Sequence, residues 1–364
     1  MSPESSSMAW HRAVELSGSE SALEGPLKGY HHETYVFPLP GGRSDGTEQI
    51  RWKCREPREN LLWFDRRCFV SEEALLRELA GRVKGIPDII ESGSIGLQRF
   101  IEGRTLGAHY SSGREIPESL FLQVVEFFRQ LAGVRPGAVT VARRCVPGDQ
   151  AREGDTSEFL ERLICFTEEQ VYQKNLDVFG GLFASLGVDE GNFERLRKHV
   201  LGLKVRPFCL LHADLHRENF IIDLKGQLWA IDWELAMFGD PLYDLATHLY
   251  LMNYPEHQET LMARHWRESV EAASPGSSRG LEEDLPRLLG FKRAQSVFTD
   301  VIRVALTLGA GTKFNWWLLP HACRRIQRVL VAARDPLGLD SVPSYWQIAV
   351  ALAEWSQTKD SSRV

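Results

Sequence analysis

The chain has 364 residues, of which 43% are hydrophobic, and its formal net charge at pH 7 is −6. A chain of this size can bury a large core, and its length predicts two lobes, because one domain usually holds roughly 100–200 residues. The mildly acidic balance, without a block of basic residues, excludes nucleic acid as an expected partner and weakly favours a cationic small substrate.

Cysteine usage and hydropathy indicate the compartment. The six cysteines occur singly, without a CxxC pair, which predicts reduced thiols in a cytoplasmic protein. The first residues do not place a basic segment before an apolar run, and no stretch offers 18 uncharged apolar residues. We therefore expect neither export nor contact with a membrane.

The amino-terminal third has the composition of an arm followed by a β-rich lobe. Serine, glutamate and glycine dominate residues 1–24 and predict a flexible arm with one short helix near residues 10–16. The runs YVFPL and IRWKCRE flank the turn-forming stretch GGRSDGT and predict a hairpin. Ser71 stands before EEALLRELAGRV as an N-cap, and the apolar positions of that helix share one face: Leu75, Leu76, Leu79 and Val83.

Beyond Gly103 the pattern becomes helical. Apolar residues three and four apart recur in SLFLQVVEFFRQLAGV, SEFLERLICFTEEQVYQ and NFERLRKHVLG. The only later strands predicted are FCLL, FIID and LWAID, and Asp240 with Pro241 supplies the start of the helix PLYDLATHLYLM. The sequence thus predicts an α+β fold with a β-rich N-lobe over residues 25–102 and a larger, mostly helical C-lobe over residues 103–364.

The stretch LLHADLHRENFIID, residues 210–223, concentrates polar side chains between apolar flanks. One interpretation is a zinc or iron site formed by His212, Asp214 and His216, because residues two apart on a strand share a face. Such a site normally needs further His or Cys ligands, and the remaining histidines show no spacing typical of them.

The second interpretation is phosphoryl transfer. Asp214 and Asn219 stand in the D-L-x-x-x-N order of a catalytic loop, and Asp232 follows thirteen residues after Asn219, across a predicted hairpin. One carboxylate and one amide oxygen suit Mg²⁺, which takes its other ligands from water and nucleotide phosphates. Asp214, outside that pair, can then accept a proton from a substrate hydroxyl.

Three segments, HADLHRENF, AIDWE and FGDPLYDLA, together resemble the aminoglycoside phosphotransferase and choline kinase-like family, a relative of the protein kinases. The likeness extends from about residue 25 onward, although the last hundred residues carry it only as helical pattern. It implies a two-lobed protein-kinase-like fold. It also implies that Asp214 is the catalytic base, that Asn219 and Asp232 bind Mg²⁺ and that His212 braces the loop.

Three neighbouring residues allow two interpretations each. His216 is either structural or in contact with the substrate. Asp244, in YDLA, resembles a family acid that ties the metal-binding segment to the next helix, or it is a helix-surface acid. Glu234 either contacts the metal through water or is a solvated carboxylate.

For a nucleotide triphosphate donor, the N-lobe must cover and neutralise the phosphates. LKGYHHETYVF stands where the phosphate-covering turn is expected, with Gly29 as its only glycine; the alternative is an ordinary hairpin. The residues expected at this turn, with backbone N–H groups as the phosphate contacts, are Gly29, His31, His32 and Thr34.

Lys53 in IRWK is the predicted phosphate-binding lysine, while Arg51 and Arg55, which share its strand face, are expected to be solvent-facing or accessory. Glu72, on the buried face of the following helix, is its predicted partner, with Glu73 as the alternative. By resemblance, the adenine binds the crossover segment and is enclosed by two apolar residues. The crossover residues are Phe100, Ile101 and Glu102, and the apolar residues are Ile221 (or Phe220) and Ile231.

The resemblance implies an ATP- or GTP-dependent O-phosphotransferase that acts as a monomer or homodimer on a small hydroxylated acceptor. An aminoglycoside-like, sugar- or nucleoside-containing antibiotic is the first expectation, modified for resistance or biosynthesis. The alternatives are a choline, homoserine or sugar kinase, or a kinase-like protein that binds a nucleotide without catalysis. A cluster of acids and two tryptophans are candidates for the acceptor pocket, against the alternative of a solvated face and a core pair: Glu268, Glu271, Glu282, Glu283, Asp284, Trp316 and Trp317.

Overall fold

The structure is a computed structural model. It describes residues 7–27, 29, 32–39, 44–45, 48–58, 64, 66–92, 95–145, 150–309 and 314–361.

A small sheet lobe comes first along the chain. Its elements are α1 (Met8–Ser17), β1 (His32–Pro38), β2 (Ser44–Asp45), β3 (Glu48–Gln49), β4 (Arg51–Pro57), α2 (Glu72–Leu79), β5 (Ile89–Ser92) and β6 (Ile95–Arg99). Four strands form an antiparallel sheet in the order β1-β4-β6-β5. The predicted hairpin of YVFPL and IRWKCRE is the β1–β4 pair, in which Val36 lies opposite Lys53.

A larger lobe, mostly helical, follows. Its strands are β7 (Gly103–Thr105), β8 (Cys209–Leu211), β9 (Phe220–Asp223), β10 (Leu228–Ala230) and β11 (Met237–Gly239). Its helices are α3 (Leu106–His109), α4 (Glu118–Ala132), α5 (Thr156–Phe166), α6 (Leu176–Ser185), α7 (Gly191–His199), α8 (Pro241–Met252), α9 (Glu256–Ala273), α10 (Leu281–Leu308), α11 (Leu319–Leu337) and α12 (Tyr345–Ser361). Over the described ranges, no helix is both long and apolar enough to cross a membrane. All six cysteines are free thiols.

The amino-terminal segment is more ordered than its composition predicts. Helix α1 begins at a Ser7 cap, whose side chain accepts a hydrogen bond from the Trp10 N–H at 3.1 Å. Its two small residues, Ala9 and Ala13, are buried against the sheet in a cluster that includes Trp52. The exposed positions of this helix include His11 and Glu15, whereas Ser17 is buried, so the short helix expected near residues 10–16 is present and packs on the sheet.

Side chains that alternate along β4 make one face of the small-lobe sheet apolar and the other face charged. Trp52 and Cys54 are buried and join the cluster under α1. Because side chains alternate along a strand, the intervening Lys53 and Arg55 point to the opposite face, where both line the cleft between the lobes. The small lobe thus presents a row of cations to the helical lobe.

Helix α2 forms as the sequence predicts. The Ser71 side chain accepts a hydrogen bond from the Ala74 N–H at 3.1 Å, which satisfies one of the unpaired donors of the first turn. The predicted apolar face is buried, including Leu75, Leu76 and Leu79. Glu72 is buried as well, so α2 directs one carboxylate inward.

A buried ion-pair network fixes the start of α8. Arg206 is completely buried, and its guanidinium donates to Asp240 at 2.8 Å and to Asp284 at 2.7 Å. Asp240 also accepts hydrogen bonds from the Leu242 N–H and from the Thr156 hydroxyl. The predicted N-cap of α8 is therefore confirmed, and its carboxylate simultaneously neutralises a buried arginine.

We expect Arg206→Ala to lower the free energy of unfolding by about 3–5 kcal/mol, because it leaves two buried carboxylates without their cation. Arg129→Ala is the matched control, since Arg129 pairs with Glu126 on an exposed face and its loss should cost less than about 1 kcal/mol. Urea unfolding of both variants measures the difference. Equal effects would show that the network does not stabilise the fold.

Candidate active site

A cleft of about 940 Å³ separates the two lobes. Both lobes contribute to its walls, and most of the site residues predicted from the sequence line it. Those residues are Asp214, Asn219, Lys53, Gly29, His32, Thr34, Phe100, Ile101, Ile221, Ile231 and Asp232. Of the other predicted site residues, His31 lies outside the described residues, and His212, Glu72 and Glu102 lie behind or beside the cleft.

Asp214 and Asn219 are joined directly. The Asn219 amide Nδ2 donates to the Asp214 carbonyl oxygen and to Asp214 Oδ2, both at 2.9 Å. Asn219 is buried, whereas the Asp214 side chain keeps 27% of its surface open to the cleft. Asn219 therefore fixes the orientation of a carboxylate that a substrate can still reach.

The β9–β10 hairpin brings Asp232 to the same place. Ala230 pairs with Phe220, and the Ile231 N–H donates to the Asn219 carbonyl at 2.9 Å, so Asp232 follows directly after a residue bonded to Asn219. Enclosure in the cleft and the nearby carboxylates of Glu72 and Glu234 raise the pKa of Asp232 to about 6. Its side chain still has 42% of its surface open, because the cleft is deep but wide enough for water.

His212 braces the loop from below. It is completely buried, and its Nε2 donates to the Ile231 carbonyl at 3.1 Å, which links the catalytic loop to the segment that carries Asp232. Burial lowers the pKa of His212 to about 4, so the ring is neutral at pH 7. The zinc interpretation finds no support, since among the described residues no group of three His, Cys, Asp or Glu side chains could hold a metal.

Asp244 holds the backbone of the same loop. It is buried, and its carboxylate accepts the N–H groups of His212 at 3.1 Å and of Ala213 at 2.8 Å. Ala213 has a φ of 65°, a left-handed conformation that is costly for a residue with a side chain. The geometry of Asp244 therefore fits the interpretation in which it ties the loop to the next helix, and not that of a helix-surface acid.

His216 lies beside Asp214. Its Nε2 is 3.5 Å from Asp214 Oδ2, and its Nδ1 accepts the Glu218 N–H at 3.1 Å. Burial opposes protonation, but the hydrogen bond and charge of Asp214 outweigh it and raise the pKa of His216. The ring both shapes the loop and lines the cleft, so the geometry is compatible with either interpretation of this residue.

The residues present fit a divalent cation such as Mg²⁺. The two hydrogen bonds that Asn219 Nδ2 donates to Asp214 leave Oδ1 as the amide atom for a ligand. Asp232 adds a carboxylate that is open to the cleft. An oxygen pair with room for water and phosphate is the ligand set that this cation prefers.

Residues on both sides of the predicted phosphate-covering turn belong to the described part of the chain, whereas residues 28, 30 and 31 of the turn lie outside it. Residues 24–27 run antiparallel to the start of β1: the Leu27 N–H donates to the Thr34 carbonyl, and the Glu24 N–H to the Val36 carbonyl, both at 2.8 Å. Gly29, His32 and Thr34 line the cleft. Burial, with a smaller contribution from Arg55, lowers the pKa of His32 to about 4.

The structure corrects the predicted lysine–glutamate pair. Arg55 forms the ion pair with Glu72, contacts Glu73 at 3.2 Å and lies 3.7 Å from Asp232. Its side chain is only 13% exposed, so it is not solvent-facing. Lys53 has no ion pair within the described part of the chain; burial and the neighbouring Arg55 lower its pKa, and it faces the cleft. Arg55, two residues further along the strand, reaches α2 instead.

The solvated interpretation of Glu234 is wrong, whereas its contact with a metal through water stays a prediction. Its side chain is 9% exposed and accepts from Arg67 at 2.6 Å, with the His32 ring 3.6 Å away. A carboxylate held by an arginine in this way is not a solvated one, although Glu234 also lines the cleft near Asp232. It instead joins the loop before α2 to the segment after Asp232.

The crossover between the lobes uses some of its backbone groups internally. The Phe100 N–H donates to the Arg51 carbonyl at 2.9 Å and so continues the sheet. Phe100 therefore cannot donate this hydrogen to an adenine. The Glu102 side chain points away from the cleft to Arg51, which it binds at 2.6 and 2.8 Å. Gly103 is required at the end of the crossover, because a Cβ there would collide with the Ile222 carbonyl.

The predicted acceptor residues do not line the cleft. Asp284 is buried with Arg206, Glu271 accepts from the Gly276 N–H, and Glu268 is exposed. Glu282 and Glu283 pair with surface cations, while Trp316 and Trp317 are 60% and 95% exposed. The helical wall of the cleft comes instead from α8, α10 and α11.

Two functional groups were missed by reasoning from the sequence. Arg55 carried a signal, because its spacing from Lys53 put both on one strand face, but the spacing did not show which cation α2 would meet. The polar stripe on α10 that faces the cleft also had a signal in its helical spacing, which the surrounding apolar pattern obscured.

We expect Arg55→Gln to lower the free energy of unfolding by about 3–5 kcal/mol, since it leaves Glu72 buried without its cation. Arg51→Gln is the control on the same strand face: its acids, Glu24 and Glu102, are 57% and 41% exposed, so its loss should cost about 1 kcal/mol. Chemical unfolding measures both. A larger loss for Lys53→Gln than for Arg55→Gln would restore the lysine as the partner of Glu72.

Comparison with protein families gives one match that covers more than half of the chain. A family model described as the phosphotransferase enzyme family matches residues 71–281, a range that includes α2, the catalytic loop and Asp232. No curated protein matches the chain.

Solved structures share the fold over nearly the whole length. A choline/ethanolamine kinase family protein from Mesorhizobium loti matches with a TM-score of 0.52 and 17% identity, covering 95% of this chain and 100% of that one. Macrolide 2′-phosphotransferase MphH from Brachybacterium faecium matches at 0.50 and 14%, covering 92% and 99%. A thermostable mutant of aminoglycoside phosphotransferase APH(4)-Ia, in a ternary complex with ADP and hygromycin B, gives the same four values. These matches confirm the two-lobed, kinase-like fold.

Proposed function

Because the chain belongs to the phosphotransferase enzyme family, we propose that it transfers the γ-phosphate of ATP or GTP to a hydroxyl group of a small molecule. One observation carries the proposal. Asp214, hydrogen-bonded to Asn219, and Asp232, delivered by the adjoining hairpin, open together onto the cleft between the lobes. This is the arrangement of base and cation ligands that phosphoryl transfer requires.

In the proposed reaction Asp214 accepts the hydroxyl proton while the hydroxyl oxygen forms a bond to the γ-phosphorus. The bond from that phosphorus to the β–γ bridging oxygen breaks, and a nucleoside diphosphate leaves. Asn219 holds Asp214 in place through the bond to Oδ2. The His216 ring, with Nε2 3.5 Å from Asp214 Oδ2, lies beside the same carboxylate.

Asn219 and Asp232 would hold Mg²⁺, which neutralises charge on the nucleotide phosphates when it is bound. On the opposite wall, Lys53 faces the cleft and is assigned to the phosphates. Arg55 keeps α2 against the strand through Glu72, so we assign it a positioning role. The turn with Gly29, His32 and Thr34 would cover the phosphates with its backbone N–H groups.

The adenine or guanine would lie between the crossover and the apolar pair Ile221 and Ile231, which line the cleft. Ile101 and Glu102 remain the candidate backbone contacts there. The acceptor is proposed to be a hydroxylated natural product or metabolite. This breadth follows the names of two structural neighbours, a choline/ethanolamine kinase family protein from M. loti and a macrolide phosphotransferase from B. faecium. The lobe boundaries, the cytoplasmic location and the choice between monomer and homodimer stay predictions.

Asp214→Asn should abolish transfer, with a loss of roughly 10²–10⁴-fold in kcat, the usual contribution of a positioned general base. The nucleotide dissociation constant should stay near the parent value, because the change leaves the phosphate-binding groups intact. Glu194→Gln, which changes an exposed carboxylate on α7, is the control and should retain turnover. A coupled assay of nucleoside diphosphate release measures both variants. Parental turnover by Asp214→Asn would remove Asp214 as the base.

Asp232→Asn should raise the Mg²⁺ concentration needed for half-maximal nucleotide binding by at least about tenfold, which is the size of effect seen even for outer-shell partners of a metal. Nucleotide binding measured without Mg²⁺ should not weaken, because the change removes a negative charge beside the phosphates, and this serves as the internal control. Titration of Mg²⁺ against a fluorescent nucleotide gives both quantities. An unchanged Mg²⁺ requirement would exclude Asp232 as a ligand.

A further inference from the structure

The segment that precedes α2 is paired with a segment of the helical lobe. Phe69 and Arg143 form an antiparallel bridge, and backbone hydrogen bonds flank it on both sides. One of these bonds runs from the Arg144 N–H to the Cys68 carbonyl at 2.9 Å. Because α2 begins only three residues after Phe69, this pairing attaches the start of the helix to the helical lobe.

The end of α2 is attached to the same part of the helical lobe. The Glu78 carboxylate accepts hydrogen bonds from the Thr140 N–H and from the Thr140 hydroxyl, both at 2.6 Å. Just beyond the helix, the Arg82 guanidinium donates to the Ala138 carbonyl at 2.8 Å. Residues 138–144 therefore run along α2 and form a second connection between the lobes, separate from the crossover segment.

Two free thiols meet at one end of this connection. Cys68 is buried and Cys145 is half-buried, and their side chains are hydrogen-bonded to each other. Cys68 belongs to the segment before α2, and Cys145 directly follows the paired residues of the helical lobe. A covalent bond between these two sulfur atoms would thus join the same two segments that the backbone hydrogen bonds hold.

The contact makes the two thiols chemically different. The hydrogen bond from Cys68 lowers the pKa of the Cys145 thiol, and the same bond, together with burial, raises the pKa of Cys68. The thiolate is the form of cysteine that attacks an oxidant, and it must be accessible to do so. Half-buried Cys145 therefore has the properties of the attacking thiol, and Cys68 those of the neighbouring thiol that completes a disulfide.

We propose that Cys68 and Cys145 are a site of reversible oxidation, at which a hydroperoxide converts the two thiols into a disulfide that ties the start of α2 to the helical lobe. The Cys145 thiolate attacks a peroxide oxygen, the O–O bond breaks, and Cys145 becomes a sulfenic acid while hydroxide leaves. The Cys68 sulfur then attacks the sulfenic sulfur, the S–O bond breaks and water leaves. Together the two thiols lose two electrons and two protons, and hydrogen peroxide is reduced to two molecules of water.

The disulfide would replace a connection that can open with one that cannot. In the reduced protein, a bridge and a few hydrogen bonds hold the start of α2 to the helical lobe, and these can break when the lobes move apart. A nucleotide in the cleft lies between the lobes, so its release requires such a movement. We therefore expect oxidation to slow nucleotide release, and this regulatory consequence rests on the proposed function, whereas formation of the disulfide does not.

Peptide mapping of the full-length protein tests the site directly. After treatment with hydrogen peroxide and alkylation of the remaining thiols, mass spectrometry should find a peptide pair that links Cys68 to Cys145 and that dithiothreitol separates. Cys165 is the internal control, because it is also half-buried, but its Sγ donates to Glu161 at 3.2 Å, and burial together with that carboxylate raises its pKa. Cys165 should stay open to alkylation. Absence of the linked pair, or equal oxidation of Cys165, would overturn the proposal.

Thermal unfolding tests whether the disulfide ties two distant parts of the chain. Oxidation should raise the Tm of the parent protein by about 2–4 °C, because a cross-link across a long loop restricts the unfolded chain. Cys145→Ser changes a half-buried position and should fold, but its Tm should not rise on oxidation. Cys165→Ser is the matched control and should respond as the parent does. A rise that persists in Cys145→Ser would assign the effect to another oxidised group and overturn the proposal.

Release of a fluorescent nucleotide tests the regulatory consequence. The rate of release should fall several-fold when the parent protein is oxidised, return to its first value after dithiothreitol, and stay unchanged throughout in Cys145→Ser. Equal release from the reduced and the cross-linked parent would overturn this consequence. A protein that forms the cross-link but binds no nucleotide would contradict the proposed function while supporting the oxidation site, so the two failures are distinguishable.

Discussion

The candidate site depends on two hydrogen bonds to one carboxylate. Asp244 accepts the N–H groups of His212 and Ala213, and so holds the chain in the left-handed turn that directs Asp214 into the cleft. A non-glycine residue in this conformation costs of order 1–3 kcal/mol and persists only where its surroundings fix it. Those surroundings are α8, whose first turn is capped by Asp240, which is itself bound to the buried Arg206. The position of the proposed base is therefore set by an ion pair deep in the helical lobe.

The small lobe meets this fixed platform through one strand face. Because side chains alternate along β4, Trp52 and Cys54 are buried in the core under α1, and Lys53 and Arg55 face the cleft. Two neighbouring cations on that face then have different tasks. Arg55 meets Glu72 and Asp232 and so connects α2, the sheet and the hairpin of the large lobe. Lys53 is left facing the space in which donor phosphates would lie. A planar guanidinium with several donors suits the bridging position better than an ammonium does.

Features that depend on residues close together in the sequence could be predicted, whereas contacts between distant residues could not. Asp214, Asn219 and Asp232 could be grouped from the sequence because one short hairpin joins them, and the caps at Ser71 and Asp240 depend on atoms a few residues away. The partner of Glu72 could not be predicted, since both Lys53 and Arg55 are on the correct face and the placement of α2 decides between them. The Arg206 network joins residues 34 and 78 positions apart, and no spacing rule indicates it. The order of residues 7–24 depends on a sheet that only the fold supplies.

The net charge of the whole chain was the sequence property that described the candidate site least well. The net charge is a sum over the whole chain, most of which does not line the cleft. Inside the cleft both signs are present: carboxylates lie around Asp214 and on α10 at Asp300, and cations lie on β4 and on α10. The electric field inside a cleft is set mainly by the few charges that line it. Water and salt screen charges on the open surface, whereas the low-dielectric walls of a cleft screen its own charges less. The charge that a ligand would meet in the cleft therefore depends on which side chains the fold turns towards it, and not on the sum over the chain.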